Sequence, residues 1–254
     1  MTATLLLLLQ LLPTTPSAGI TPPDTRDVAA FTHVAVAAPI TVLLHQGSPQ
    51  QVRVEAAPED LARLETHVDH DELRIRDRTA DAGRSNQSPL GKVTVHITMP
   101  TVRSLYVANG SRLHANTLQV NQLWLEANSS GLLMLGQVQA RRVSAGTASS
   151  GRVVLHQLLA DTLQSTGASA GSLTVAGTCP YYRLTLSSGG HVQAEALAVE
   201  TCTATLSSGS RGRVRVSTHL QAHASSGGQL TVLGNPQLSS RVNSGGRVQR
   251  QEAR

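Results

Sequence analysis

From residue 31 to residue 107, apolar and polar positions alternate in short runs, at 34–36, 40–44, 52–56, 73–76 and 93–99. A period of two marks a strand with one face turned inward. Gly47-Ser48-Pro49 and Pro58-Glu59-Asp60 interrupt the runs. The stretch "PEDLARLE" opens on Pro58 with acids in its first turn, which predicts one or two turns of helix. Residues 77–92 read as a mobile polar loop. Further on, the apolar bursts shrink to two to four residues, as at 173–175, 184–186, 197–199 and 230–232, each too short for a helix.

A recurring Ser-Gly corner separates these bursts. It reads "ANGSRL" at Gly110, "NSSGLL" at Gly131, "ASSGRV" at Gly151, "ASAGSL" at Gly171, "LSSGGH" at Gly189, "LSSGSR" at Gly209, "ASSGGQ" at Gly227 and "NSGGRV" at Gly245. The spacings are 21, 20, 20, 18, 20, 18 and 18, and a fixed period near 20 is the signature of a solenoid. A coil of that length fits three short strands and three turns. Stacked at ~4.8 Å, eight corners give a rod of roughly 35 Å. The expected fold is an all-β, right-handed parallel β-helix with an N-terminal strand-rich cap over its first coil. Glycine at each corner is expected to supply positive φ, and the flanking Ser hydroxyls to bond the turn and one another up the stack. Inward residues fall five and three places ahead of Gly189 and Gly209, but six and four ahead of Gly131, Gly151 and Gly171, which predicts an extra corner residue in the earlier coils.

The start of the chain changes the compartment. An apolar run at 5–12 is followed by Pro13 and small residues up to Ala18 and Gly19, the pattern of a secretory signal peptide. It is too short to span a bilayer, which needs ~20 residues, and no second apolar stretch reaches membrane length. The expected division is a signal peptide at 1–18, a linker at 19–30, a strand-rich part with the first coils at 31–107, and the Ser-Gly repeat β-helix at 108–250. The protein is then exported, to the periplasm or the cell surface. In an oxidising compartment the only two cysteines, Cys179 and Cys202, either form one disulfide or sit as two small buried hydrophobes.

Charge is uneven. Residues 1–92 carry 8 basic and 11 acidic side chains, whereas 93–254 carry 13 basic, all arginine, and 5 acidic. Arginine favours bidentate contact with carboxylate, sulfate or phosphate. The alternation in "SRGRVRV" places Arg211, Arg213 and Arg215 on one side, and Arg241, Arg247 and Arg250 in later coils extend them to a candidate anion-binding face. Nucleic acid is disfavoured by export and by the five aromatic residues of the chain.

Catalytic chemistry finds little purchase. Among the acids of the repeat region, Asp161 and Glu200 occupy similar coil positions but two coils apart, about 10 Å, loose for a glycosidase pair. His67, Asp69, His70 and Asp71 cluster in "HVDHD", which reads as a solvated turn. His219 and His223 lie ~13 Å apart along a strand, too far to share an ion. The repeated "SSG" reads as a corner, since no G-x-S-x-G elbow or following helix is present. No metal or cofactor is expected.

The segment at 31–76, then "KVTVHITMPTVRSLYVANGSRLHA", then the Ser-Gly repeats, resembles the bacterial head GIN domain family of putative auto-transporter adhesins. The resemblance covers residues 28–250. Its specific parts are Gln46-Gly47, the strand "ELRI" at 72–75, and "ITMP" at 97–100 followed by "NGS" at 109–111. It implies an exported β-helical domain and supplies no catalytic residues. The chain contains no C-terminal run of ~10-residue alternating strands for a membrane barrel. The expected function is a non-enzymatic binding or adhesion-type module of the cell envelope that contacts anionic glycan or a protein partner. The alternatives are a carbohydrate-active enzyme on the same scaffold or a structural docking scaffold. The last corner is followed by no cap, so a homo-oligomer through the terminal coil is a further expectation.

Overall fold

The computed structural model describes residues 23–79 and 89–251. The signal-peptide segment, most of the polar loop and Glu252 lie outside the described residues.

The chain is nearly all strand and winds into a β-solenoid of about 7 turns. Its first coil is β2 (His33–Ala37) and β3 (Thr41–Gln46). The chain then reverses through β4 (Gln51–Glu55), helix α1 (Pro58–Arg63) and β5 (Leu64–Asp69). β6 (Glu72–Asp77) and β7 (Thr94–Met99) lie parallel beneath β2 and β3. β4 pairs antiparallel with β7 and with β1 (Asp24–Arg26), and β5 pairs antiparallel with β6. These antiparallel strands cover the amino end of the stack, where a bare parallel edge would otherwise offer unpaired amides and carbonyls.

The cap also absorbs the acids of the N-terminal third. Arg63 bonds Asp77 at 2.7 Å, Arg76 bonds Glu65 at 2.9 Å, and Arg74 bonds Glu72 at 2.7 Å. At Asp77 burial works against ionisation, but hydrogen bonds from Thr79 and Arg63 outweigh it and hold the carboxyl below its usual range. The "HVDHD" turn joins β5 to β6, with His70 and Asp71 both at positive φ. His70 pairs with Asp69 there, and His67 with Glu65.

From β8 (Ser104–Val107) and β9 (Arg112–Gln119) onward the stack is regular: β10 (Gln122–Ala127), β11 (Leu132–Thr147), β12 (Arg152–Gly167), β13 (Ser172–Thr178), β14 (Tyr181–Leu186), β15 (His191–Leu206), β16 (Arg211–Ala224) and β17 (Gln229–Leu233), all parallel. Each coil has three faces, seen in β11, which pairs with β12 over 132–135, 137–140 and 142–147 with breaks between. Alternate residues point inward and stack into ladders such as Leu113, Leu133, Val153, Leu173 and Val192, all nearly solvent-free. One buried polar pair interrupts the apolar interior, Tyr182 with its hydroxyl 2.8 Å from Ser165 Oγ.

The corners depart from the sequence expectation. Two consecutive left-handed residues form each turn, followed by a tightly enclosed third. The left-handed pair is Ser129-Ser130, Ser149-Ser150 and Ser169-Ala170 in the middle coils, and Ser188-Gly189, Ser208-Gly209, Ser226-Gly227 and Ser244-Gly245 later. Gly131, Gly151 and Gly171 are therefore third residues without positive φ. A Cβ on Gly151 would collide with the Ala127 carbonyl oxygen. Corner length is constant, because the last inward residue sits four places before the third residue at Ala127 and at Leu206 alike. The predicted extra corner residue does not exist; glycine shifts by one place. The shortening of later coils happens on the second face, where the register slips between Ala194 and Thr201.

Corner stacking is carried by the backbone. The second left-handed amide donates to the first left-handed carbonyl of the next coil, as Ser130 to Ser149 and Gly209 to Ser226. Corner hydroxyl bonds occur where the third residue is serine: Ser111 to the Ala108 carbonyl and Ser210 to that of Leu186.

At the carboxyl end, β18 (Gln237–Val242) and β19 (Arg247–Gln251) pair only with β16 and β17 among the described residues. Arg250, in register with buried Val232, turns its guanidinium onto Asn235 Oδ1 at 2.8 Å and the Pro236 carbonyl at 2.6 Å.

Candidate binding face

The residue after each corner opens the first face and points outward. In register these residues are Arg112, Leu132, Arg152, Ser172, His191, Arg211, Gln229 and Arg247. The enclosed third residue fixes this column, since it locks the chain as it enters the sheet. All four arginines are exposed, and none meets a carboxylate among the described residues. At ~4.8 Å per coil they span about 34 Å. Fixed cations that far apart on one line match a polyanion better than a single small anion.

The predicted arginines divide across the molecule. Arg211 and Arg247 lie in this column two coils apart. Arg213 stands one outward position further along the same face, 3.5 Å from Glu195 and bonded to Gln251. Arg215 is taken up by the Glu195 carbonyl at 2.8 Å. Arg241 is on the third face, in register with His223, and does not join the column. Arg112 and Arg152 do belong to it and were missed. Each follows its corner directly, in "GSRL" and "SGRV", but glycine stands at different places in the two corners, so their common column emerges only from the register.

Cys179 and Cys202 form no disulfide. Cys179 ends the second face beside the bend, whereas Cys202 stacks on Tyr182 in the third face, so they occupy different ladders. Burial pushes both thiols up, to about 11 and about 12.

The other chemistry-bearing residues do not converge. Asp161 and Glu200 flank the bend before the third face, two coils apart and both exposed, with Asp161 3.8 Å from Arg141. An open groove of about 710 Å³ on the first face holds His45, His96 and His114. His96 faces Glu55 at 3.3 Å, and Leu43 separates it from His114 in the register. Among the described residues no group of three or more His, Cys, Asp or Glu could hold a metal ion, and no helix is long and apolar enough to cross a membrane.

The family model described as "Putative auto-transporter adhesin, head GIN domain" matches residues 30–236. A search of curated proteins finds no match. Among solved structures, a putative lipid binding protein from Parabacteroides distasonis superposes with a TM-score of 0.76 at 16% identity, covering 90% of this chain and 96% of that one. A putative adhesin from Parabacteroides merdae gives 0.77 at 14%, covering 91% and 95%. A putative adhesin from Bacteroides fragilis gives 0.66 at 15%, covering 94% and 99%. At these identities the likeness shows a shared β-solenoid fold.

Proposed function

This chain belongs to the putative auto-transporter adhesin, head GIN domain family, and from that membership we propose that it works as a non-enzymatic, adhesion-type binding module whose arginine column engages an acidic polysaccharide. The observation that carries the reading is the uncompensated line of Arg112, Arg152, Arg211 and Arg247 on one face. In the cap Arg26, Arg63, Arg74 and Arg76 are paired with neighbouring acids, whereas the four arginines of the column meet no carboxylate among the described residues. The adhesin description of the family and the leader-like run at 5–12 support an exported setting. The names of the solved neighbours, adhesin and lipid-binding protein, fit a protein that contacts an envelope surface.

The test mixes the purified protein with heparin, polygalacturonate or dextran at low and high salt and follows both components by size-exclusion chromatography. Co-elution with an intact acidic polymer, lost at high salt and in the Arg152→Ser/Arg211→Ser double variant but kept in Arg183→Ser, is the expected result. Arg183 lies on the third face and serves as the control. Absence of co-elution, or equal retention by the double variant, overturns the reading. Shortened polymer would replace it with a carbohydrate-active enzyme.

A further inference from the structure

The third face carries a second feature that the arginine column does not use. Trp124, the only tryptophan of the chain, stands outward on β10 with 48% of its surface exposed. Single exposed apolar residues are common on protein surfaces. Trp124 differs in forming a ridge shared by two open grooves, of about 580 and 520 Å³.

On one side of the ridge lie Tyr106, Glu126, Ser144 and Gly146. The register stacks Tyr106, Glu126 and Gly146 on successive strands, with Ser104, Trp124 and Ser144 beside them. Glu126 is positioned by the Asn128 amide, which donates to Oε1 at 2.8 Å and leaves Oε2 free to accept. Gly146 leaves a depression above it: its φ is ordinary, and an added Cβ would make only ordinary van der Waals contacts, with Thr166 Oγ1 at 3.6 Å, Glu126 Cγ at 3.7 Å and the Leu125 carbonyl oxygen at 3.9 Å. The fold does not need glycine there; the groove does. On the other side are Arg103, Asn121 and Gln122, each with an outward polar head.

An exposed indole beside planar carboxylate, carboxamide and guanidinium groups is the chemistry that holds a pyranose. The apolar C–H face of the sugar stacks on the ring, and pairs of vicinal hydroxyls meet the planar groups in the ring's own plane. The groove walls hold hydroxyl, amide and glycine positions, and Glu126 opposes a second anion, so charge complementarity selects an uncharged sugar over the acidic polymer of the first face. We propose that the Trp124 ridge is a binding subsite for a neutral saccharide chain, with one pyranose stacked on the indole and bonded by Glu126. This subsite is on a different face from the arginine column, and its failure or success is read separately.

The indole reports on its own site. The wild type is titrated with maltohexaose, cellohexaose and chitohexaose at low and high salt, following Trp124 fluorescence and, in parallel, calorimetric heat. A saturable emission change with at least one hexasaccharide, retained at high salt and in Arg152→Ser/Arg211→Ser, is expected. Calorimetric affinity should fall more than about tenfold in Trp124→Ala, with the melting temperature unchanged, as for an aromatic anchor. Gly146→Val, which fills the depression and keeps the indole, should weaken binding as well. No saturable change with any of the three sugars, or wild-type affinity in both variants, overturns the proposal.

Discussion

At the scale of single residues, the cysteines show how position overrides composition. Two cysteines in a protein with a leader-like start point toward a bridge, yet Cys179 and Cys202 belong to separate inward ladders and lie in no mutual register. Each instead fills a place that other coils give to apolar side chains, such as Leu163 and Leu220 in the Cys202 ladder. Desolvation disfavours the thiolate, and with folded values of about 11 and about 12 both thiols stay protonated and unreactive at pH 8. A thiol-specific disulfide reagent should therefore titrate no thiol in the native protein and two per chain after denaturation without reductant. Finding none after denaturation would show a bridge and refute the separate-ladder account.

The corner is the element that repeats. It has two different needs, left-handed backbone at its first two residues and absence of a Cβ, or a small buried side chain, at its third. Gly189 answers the first with φ +73° and nothing within 4 Å of an added Cβ; Gly151 answers the second against the Ala127 carbonyl. Gly189→Asn should cost no more than about 1 kcal/mol, because asparagine visits the left-handed region and nothing blocks it. Gly151→Ala should cost on the order of 3 kcal/mol, since a whole corner must move off the coil beneath. Urea denaturation of the two variants decides the order, and the reverse order would sink the two-role account. The sequence shows where the corners are but not which role each glycine plays, because "SSG" and "SGG" differ only by a one-place shift that the inward ladders resolve.

Across the whole molecule, each coil touches only its neighbours, so stability is distributed as a chain of nearest-neighbour contacts with two unlike ends. The amino end is covered by β4, β5 and α1; at the carboxyl end β18 and β19 are largely exposed and guarded by Arg250. Amide hydrogen exchange should be fastest in β18 and β19, slowest in β11 and β12, and slow in β7 despite its place near the amino end, because β4 covers it. Equal protection of β18 and β19 would mean that another chain covers them in solution. The solenoid, its period, the short helix at Pro58 and the excess of arginine in the repeats were legible in the sequence, because a period-two pattern with a fixed corner leaves one economical way to bury its apolar face. The membership of the basic column and the ridge at Trp124 were not. They depend on which residues stack across coils 18 to 20 residues apart, and a slip of one residue at a corner or bulge moves a side chain to a different column. Register is set by backbone hydrogen bonds between coils, so only the tertiary structure could place Arg112 and Arg152 in line with Arg211, send Arg241 to another face, and set Tyr106 and Glu126 beside the one indole.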